Sequence, residues 1–230
     1  MKKILSVILA MAVIFSAFST LLLTSAEAAP AVLYASADGS GDGTSAETPI
    51  AWADAAATIA DGGTIYIIGT VGDNTVNRYP IGVEGKAINF VGVDKTTSII
   101  ESKVGFAPKG VVFFDNLTFK TNSNADVFLF ILNGSSDHDV TLGENVAIDA
   151  TVGDRVIGQD AAGYSKFTTN GGSFKTFLAG GYNSSLSGTK TDYIVNNSTV
   201  ENMAVANGWR SGAGDGYFTY SGDWRFEINN

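Results

Sequence analysis

The sequence contains no cysteine, one histidine and four prolines in 230 residues, and only 16% of its residues are charged. The absence of cysteine excludes a disulfide scaffold, a thiolate zinc site, a cysteine nucleophile and a lipid-anchored cysteine. A single histidine removes most imidazole metal sites and weakens any Ser-His-Asp arrangement. Basic residues are scarce as well. The 14 Lys and Arg stand against 23 Asp and Glu, for a net charge of −9. Neither nucleic acid nor an anionic membrane surface is an expected partner of such a chain. Glycine, in contrast, is abundant at 27 residues. A chain poor in charge and rich in glycine needs many tight turns and few solvated helices.

The first residues read as a targeting segment. Lys2 and Lys3 precede an apolar run from Ile4 to Leu23, and Ala26-Glu27-Ala28 has the small-x-small pattern of a cleavage site. This is the anatomy of a secretory signal peptide over residues 1–28, with an uncleaved membrane anchor as the alternative. A secreted, acidic, cysteine-free chain implies a bacterial extracellular or cell-surface protein, Gram-positive by preference, with no membrane contact after cleavage. In that setting the Asn-x-Ser/Thr matches at Asn116, Asn133, Asn183, Asn196 and Asn197 are turn asparagines and not glycan acceptors.

One helix stands out after the leader. Trp52, Ala55, Ala56 and Ile59 fall at i, i+3, i+4 and i+7, which gives one apolar face. Thr48 is placed to cap it, Pro49 suits its first turn, and Asp61-Gly62-Gly63 ends it. The remainder alternates short β-type runs with Gly, Asn, Asp and Ser clusters. The runs are Thr64–Val71, Ala87–Val93, Val111–Phe119, Val127–Leu132, Val140–Leu142, Asn145–Ile148, Lys166–Thr169, Ser173–Leu178, Tyr193–Val195, Thr199–Val205 and Arg225–Ile228.

Internal repeats decide among β architectures. Residues 167–177 align with 193–203 at an offset of 26; Phe226 continues the series 33 residues after Tyr193, and Val140 precedes Phe167 by 27. Each unit is strand, Asn/Gly turn, strand and a longer Gly-rich loop. A propeller blade needs four strands in about 40 residues, so units of this size fit a parallel β-helix coil better. Such coils stack inward Phe, Ile, Val and Leu into a continuous core, place Asn and Gly at the corners, and let Asn side chains bond along the axis. The first coil exposes an open edge that the helix is placed to cover.

Ala31-Val32-Leu33-Tyr34-Ala35-Ser36-Ala37-Asp38-Gly39-Ser40-Gly41-Asp42-Gly43, then Thr48-Pro49, the helix and Asp61-Gly62-Gly63-Thr64-Ile65-Tyr66-Ile67, resembles the N-terminal cap and first coil of pectate-lyase-like β-helix proteins. The likeness covers about residues 32–71 and implies an all-β, right-handed parallel β-helix with an N-terminal capping helix. Gly-Gly-Ser-Phe and Ala-Gly-Gly-Tyr-Asn within 171–183 are similar to Gly-rich repeats of Gram-positive surface proteins. The expected organisation is a signal peptide over 1–28, a cap over 29–63 and coils over 64–230, with the chain stopping inside a further coil, as a fragment of a longer protein would.

This resemblance implies no single activity, because the superfold serves lyases, hydrolases, adhesins and stalks. Family lyases hold calcium with clustered aspartates and use an arginine base; polygalacturonases add Gly-His-Gly and Arg-x-Lys. This chain has no Asp-Asp pair, no Gly-His-Gly and no Arg-x-Lys. The catalytic candidates that remain are Asp154, Arg155 and Asp160, an arginine among acids, with a surface ion pair as the alternative. Asp137 and Asp139 flank His138 in what reads as a solvated polar turn, with metal binding as the sharper option. Asp38 to Gly43 begins like a calcium loop, but its twelfth position is Pro49 where a bidentate Glu is needed, so a glycine-rich cap loop explains it better. Tyr182, Trp209 and Trp224 lie in or beside Gly-rich loops and are candidates for stacking on sugar rings; as loop anchors they would fold over the core instead. The leading expectation is a non-catalytic adhesion or polysaccharide-binding module, with extracellular or cell-wall polysaccharide or a host or neighbouring surface as partner. A lyase or hydrolase and an inert stalk are the rivals. No cofactor is expected, calcium being the one ion the acids suit.

Overall fold

Among the described residues, strands pair with strands a coil away and every pairing is parallel. The computed structural model describes residues 28–122, 129–132, 137–150, 155–157, 164–179, 187–205 and 221–229. Within them one 13-stranded and one 4-stranded parallel sheet form a β-solenoid. In chain order the elements are β1 (Val32–Ser36), β2 (Ile50–Ala51), α1 (Trp52–Thr58), β3 (Gly63–Ile67), β4 (Thr70–Asp73), β5 (Arg78–Gly92), β6 (Ile99–Ser102), β7 (Gly105–Asp115) and β8 (Thr118–Thr121). Then follow β9 (Phe130–Ile131), β10 (His138–Leu142), β11 (Ala147–Ala150), β12 (Arg155–Ile157), β13 (Tyr164–Thr169), β14 (Ser173–Ala179), β15 (Ser187–Asn196), β16 (Thr199–Val205) and β17 (Ser221–Asn229).

The strands sort into three faces. The first carries β1, β3, the end of β5, the end of β7, β10, β13, β15 and β17 in that ladder order. The second carries β4, β6, β8 and β11. The third carries the first halves of β5 and β7, then β9, β12, β14 and β16. The repeat offsets read from the sequence are the register. Phe167 lies beside Tyr193, Ser173 beside Thr199, Tyr193 beside Phe226 and Val140 beside Phe167.

Alternation then sends every second side chain inward. Leu33, Ile65, Phe90, Phe114, Leu142, Thr169 and Val195 occupy one inner row, and all are buried. The faces meet in an aromatic centre. Phe119 from the second face lies 5.0 Å from Phe114 of the first, and 4.9 and 5.0 Å from Phe106 and Phe130 of the third. Burying each such side chain contributes roughly 1.5–3 kcal/mol, which offsets the ordering of its coil.

The corners use residues that tolerate left-handed backbone. Asn116 (φ 52°) divides β7 from β8, so the run read as Val111–Phe119 is two strands on two faces. Asn197 (φ 50°) does the same between β15 and β16. The Asn116 amide also donates to the Gly92 carbonyl one coil below (2.7 Å), so the corner is tied along the axis. Other corners are Asp-x-Thr turns. The carboxylates of Asp42, Asp73 and Asp94 each accept the N–H and the hydroxyl of the threonine two residues on.

The helix sits at the first coil, against β1, β2 and β5. Ala55 and Ile59 are buried, and Trp52 tilts onto Phe90 at 5.6 Å. Its start differs from the sequence expectation. Thr48 and Pro49 do not begin it; Ala51 is the N-cap and makes no side-chain cap bond. Thr48 instead donates its hydroxyl to Asp42 (3.0 Å), and its carbonyl accepts from Gly43 (2.8 Å). The glycines of this loop are needed for close approach: a Cβ on Gly39 would lie 2.2 Å from the Ile50 carbonyl oxygen. At the other end Lys86 donates to the carbonyls of Ala56 and Ala57, groups the last helical turn leaves without partners.

Candidate functional site

The outward side of the first face carries rows of polar and aromatic side chains. Register places Tyr34, Tyr66, Val91 and Asp115 in one outward row. The row continues through Gly143 and Asn170, whose N–H groups donate to Phe114 and Leu142, and then through Asn196 and Asn229. The two tyrosines stack, with centroids 5.1 Å apart and planes at 23°. The asparagines form a ladder: Asn196 Nδ2 donates to Asn170 Oδ1 (2.8 Å) and Asn229 Nδ2 to Asn196 Oδ1 (2.9 Å). Asn170 and Asn196 keep an amide N–H and a lone pair for another partner, whereas the Asn229 amide also donates to Glu227 Oε1 (3.0 Å).

Gly143 interrupts the row, and a groove opens there. It encloses about 430 Å³ and is lined by Phe113, Asp115, Gly143, Glu144, Asn145, Asn170, Asn196 and Asn197. The glycine makes room for the Asp115 carboxylate to lie over it: a Cβ on Gly143 would lie 2.6 Å from Asp115 Oδ1. Asp115 Oδ1 also accepts the Asn145 N–H (3.0 Å), which fixes the carboxylate at the groove wall. Glu144 is exposed, and Phe113 is half-buried beside Asp115. The lining spans the ends of β7, β10, β13 and β15. At about 4.8 Å per rung that is ~14 Å along the axis.

A second row on the same face alternates in charge. Val111, Asp139, Lys166, Asp192 and Arg225 are register neighbours in that order. Lys166 pairs with Asp139 at 3.1 Å and Arg225 with Asp192 at 3.7 Å. Tyr164 donates its hydroxyl to Asp192 Oδ2 (2.9 Å). Burial, that hydrogen bond and the nearby negative charges push the phenol up to about 12.

This ladder accounts for two residues singled out in the sequence. Asp139 is held by Lys166, and Asp137 Oδ1 accepts the Tyr164 N–H at 3.0 Å. Both carboxylates therefore bind the next coil. The solvated turn expected around His138 is instead the start of β10. Period-2 alternation carries His138 inward with Val140 and Leu142, and it is 1% exposed. Among the described residues no three His, Asp or Glu gather as a metal site. Asp154, Asp160, Tyr182 and Trp209 lie outside the described residues. Arg155 opens β12, with its backbone beside Thr176, and Trp224 lies in β17 beside Thr191; their side chains also lie outside the described residues.

A further recess of about 350 Å³ lies where the helix meets β5. Its walls include Trp52, Ala56, Tyr79 and Val83, and Trp52 Nε1 donates to the Tyr79 hydroxyl at 2.9 Å. It is mostly apolar and follows from the small alanines of the helix. The groove at Gly143 has the denser set of polar groups and is the better candidate. Sequence reading anticipated stacked asparagines but missed Asp115, Glu144 and the Tyr34–Tyr66 pair. The signal for them was the repeat offset, which aligns Asp115 with the asparagine positions once the coils are superimposed.

No family model, curated protein or solved structure matches the chain. What the structure supports is the parallel β-solenoid.

Proposed function

We propose that this chain is a non-catalytic, extracellular or cell-surface solenoid that binds polysaccharide along the outward side of its first face. The observation that carries this reading is the groove over Gly143 in line with the Asn170–Asn196–Asn229 ladder. Amide groups repeated at each rung offer paired donors and acceptors to hydroxyls that recur along a polymer. Phe113 in the groove, and Tyr34 and Tyr66 farther along the row, provide aromatic faces for sugar C–H surfaces. The leader over residues 1–28 supports export, and the cysteine-free, acidic composition suits a bacterial exterior.

The test is retention of the chain lacking residues 1–28 on a panel of insoluble polysaccharides, with release of new chain ends read from the same samples. Retention without new ends is expected, and it should fall at least about tenfold in an Asn170→Ala/Asn196→Ala variant of unchanged circular dichroism. New ends that vanish in Arg155→Ala would replace binding with cleavage as the activity. A folded chain that is retained on nothing would leave the stalk reading.

A further inference from the structure

Among the described residues, the groove is lined by two carboxylates, Asp115 and Glu144, and by no Lys or Arg. Among the described side chains of this face, Lys166 is committed to Asp139 and Arg225 to Asp192 and Glu227. Among the described residues neither Asp115 nor Glu144 has a basic partner. Asp115 is fixed by the Asn145 N–H, so it cannot swing away from an incoming ligand without losing that bond. The whole chain adds a net charge of −9, which repels a polyanion before contact.

We infer that the groove selects uncharged or amino-bearing polysaccharides, laid along the solenoid axis, and rejects polyanionic ones. This inference rests on the binding function proposed above and names its ligand class. Its physical basis is local. A carboxylate on the ligand would lie within a few ångströms of Asp115 or Glu144, and like charges at ~4 Å repel even in a water-rich medium. A hydroxyl or ammonium in the same place donates to those carboxylates, and the amides of Asn170 and Asn196 take the neighbouring hydroxyls. The direction follows from the groove, which crosses successive rungs and does not run along one strand.

The experiment compares matched polymers with the purified protein: a neutral β-glucan, its carboxymethylated form, and chitosan as the amino-bearing case. Affinity electrophoresis at low and high salt reads the three. The neutral and amino polymers should be bound at least about tenfold more tightly than the carboxymethylated one at low salt, with the gap narrowing as salt rises. Glu144→Lys should raise affinity for the carboxymethylated polymer and lower it for chitosan. Glu144 is exposed, so the variant should fold, and an unchanged melting temperature verifies that. Equal or tighter binding of the carboxymethylated polymer at low salt would overturn the inference while leaving polysaccharide binding intact. Failure to bind any of the three would overturn both.

Discussion

Replacing Phe119 by alanine tests how the interior holds the coils together. Phe119 is fully buried, and its ring lies 4.9 to 5.0 Å from Phe106, Phe114 and Phe130, which come from the other two faces. Phe→Ala in a packed core costs about 3–5 kcal/mol, and each aromatic pair is worth roughly 0.5–1.5 kcal/mol beyond its area. Three such contacts put Phe119→Ala at the upper end, about 5 kcal/mol. Phe113→Ala is the control. Phe113 is outward and half-buried, so its loss should cost about 1 kcal/mol. Urea unfolding followed by far-UV circular dichroism measures both. With a slope of about 2 kcal/mol/M, the Phe119→Ala midpoint should fall by ~2 M or more. Phe119→Leu, which keeps most of the volume, should lose about a third of that. A shallower slope for Phe119→Ala would mean that the coils on either side unfold separately, as neighbour-stabilised repeats can. A Phe119→Ala midpoint no lower than that of Phe113→Ala would refute the stacked aromatic centre.

Other consequences follow from the corners and the charge ladder. Asn116→Ala removes the polar side chain that lets asparagine tolerate left-handed backbone, and with it the bond to Gly92; it should cost about 2 kcal/mol, and Asn116→Gly, which relieves the backbone but not the lost bond, about half of that, by thermal unfolding. The Asp42, Asp73 and Asp94 carboxyls are held below their ordinary 3.8, chiefly by hydrogen bonds from Thr44, Thr75 and Thr96 respectively. A depressed folded value stabilises the fold above pH 3.8, and that contribution is lost as pH falls through the lowered values. The Asp→Asn triple variant should therefore show a flatter acid limb in a plot of melting temperature against pH. Tyr164 has the opposite sign. Its raised value means that the stability it adds is complete below pH 10 and is lost as pH rises through about 12. Tyr164→Phe should flatten that alkaline limb and remove one late phenolate step from the ultraviolet titration.

Much of the architecture was legible because the solenoid writes its register into the chain. Inward apolar positions recur at the coil length, and the Asn and Gly clusters mark the corners. The offset of 26 that aligns Phe167 with Tyr193 is a spatial neighbour relation. Other strands were hidden. Arg78 to Lys86 contains a proline and two glycines, and Gly105 to Gly110 another proline, so local propensity argues against them. They are strands because each has a parallel partner one coil away, a tertiary effect. His138 was misread for a related reason: flanking aspartates look like a turn until Val140 and Leu142 set the phase of the strand. Thr48 and Pro49 have the chemistry of a helix start, but the Asp42 carboxylate and the Gly43 N–H claim Thr48 for the loop. The groove was hardest to see. Phe113, Gly143, Asn170 and Asn196 stand far apart in sequence, and only the register of the coils brings them to one groove.

The central claim is that a sugar polymer lies along the outward first face over Gly143. Hydrogen exchange of the protein with and without a neutral oligosaccharide tests it most directly. The claim predicts slowed exchange at the ends of β7, β10, β13 and β15, around residues 113–116, 143–145, 170 and 196–197, with the helix unchanged. Protection confined to the recess beside Trp52 and Tyr79, or to residues around Tyr182 and Trp209, would contradict it.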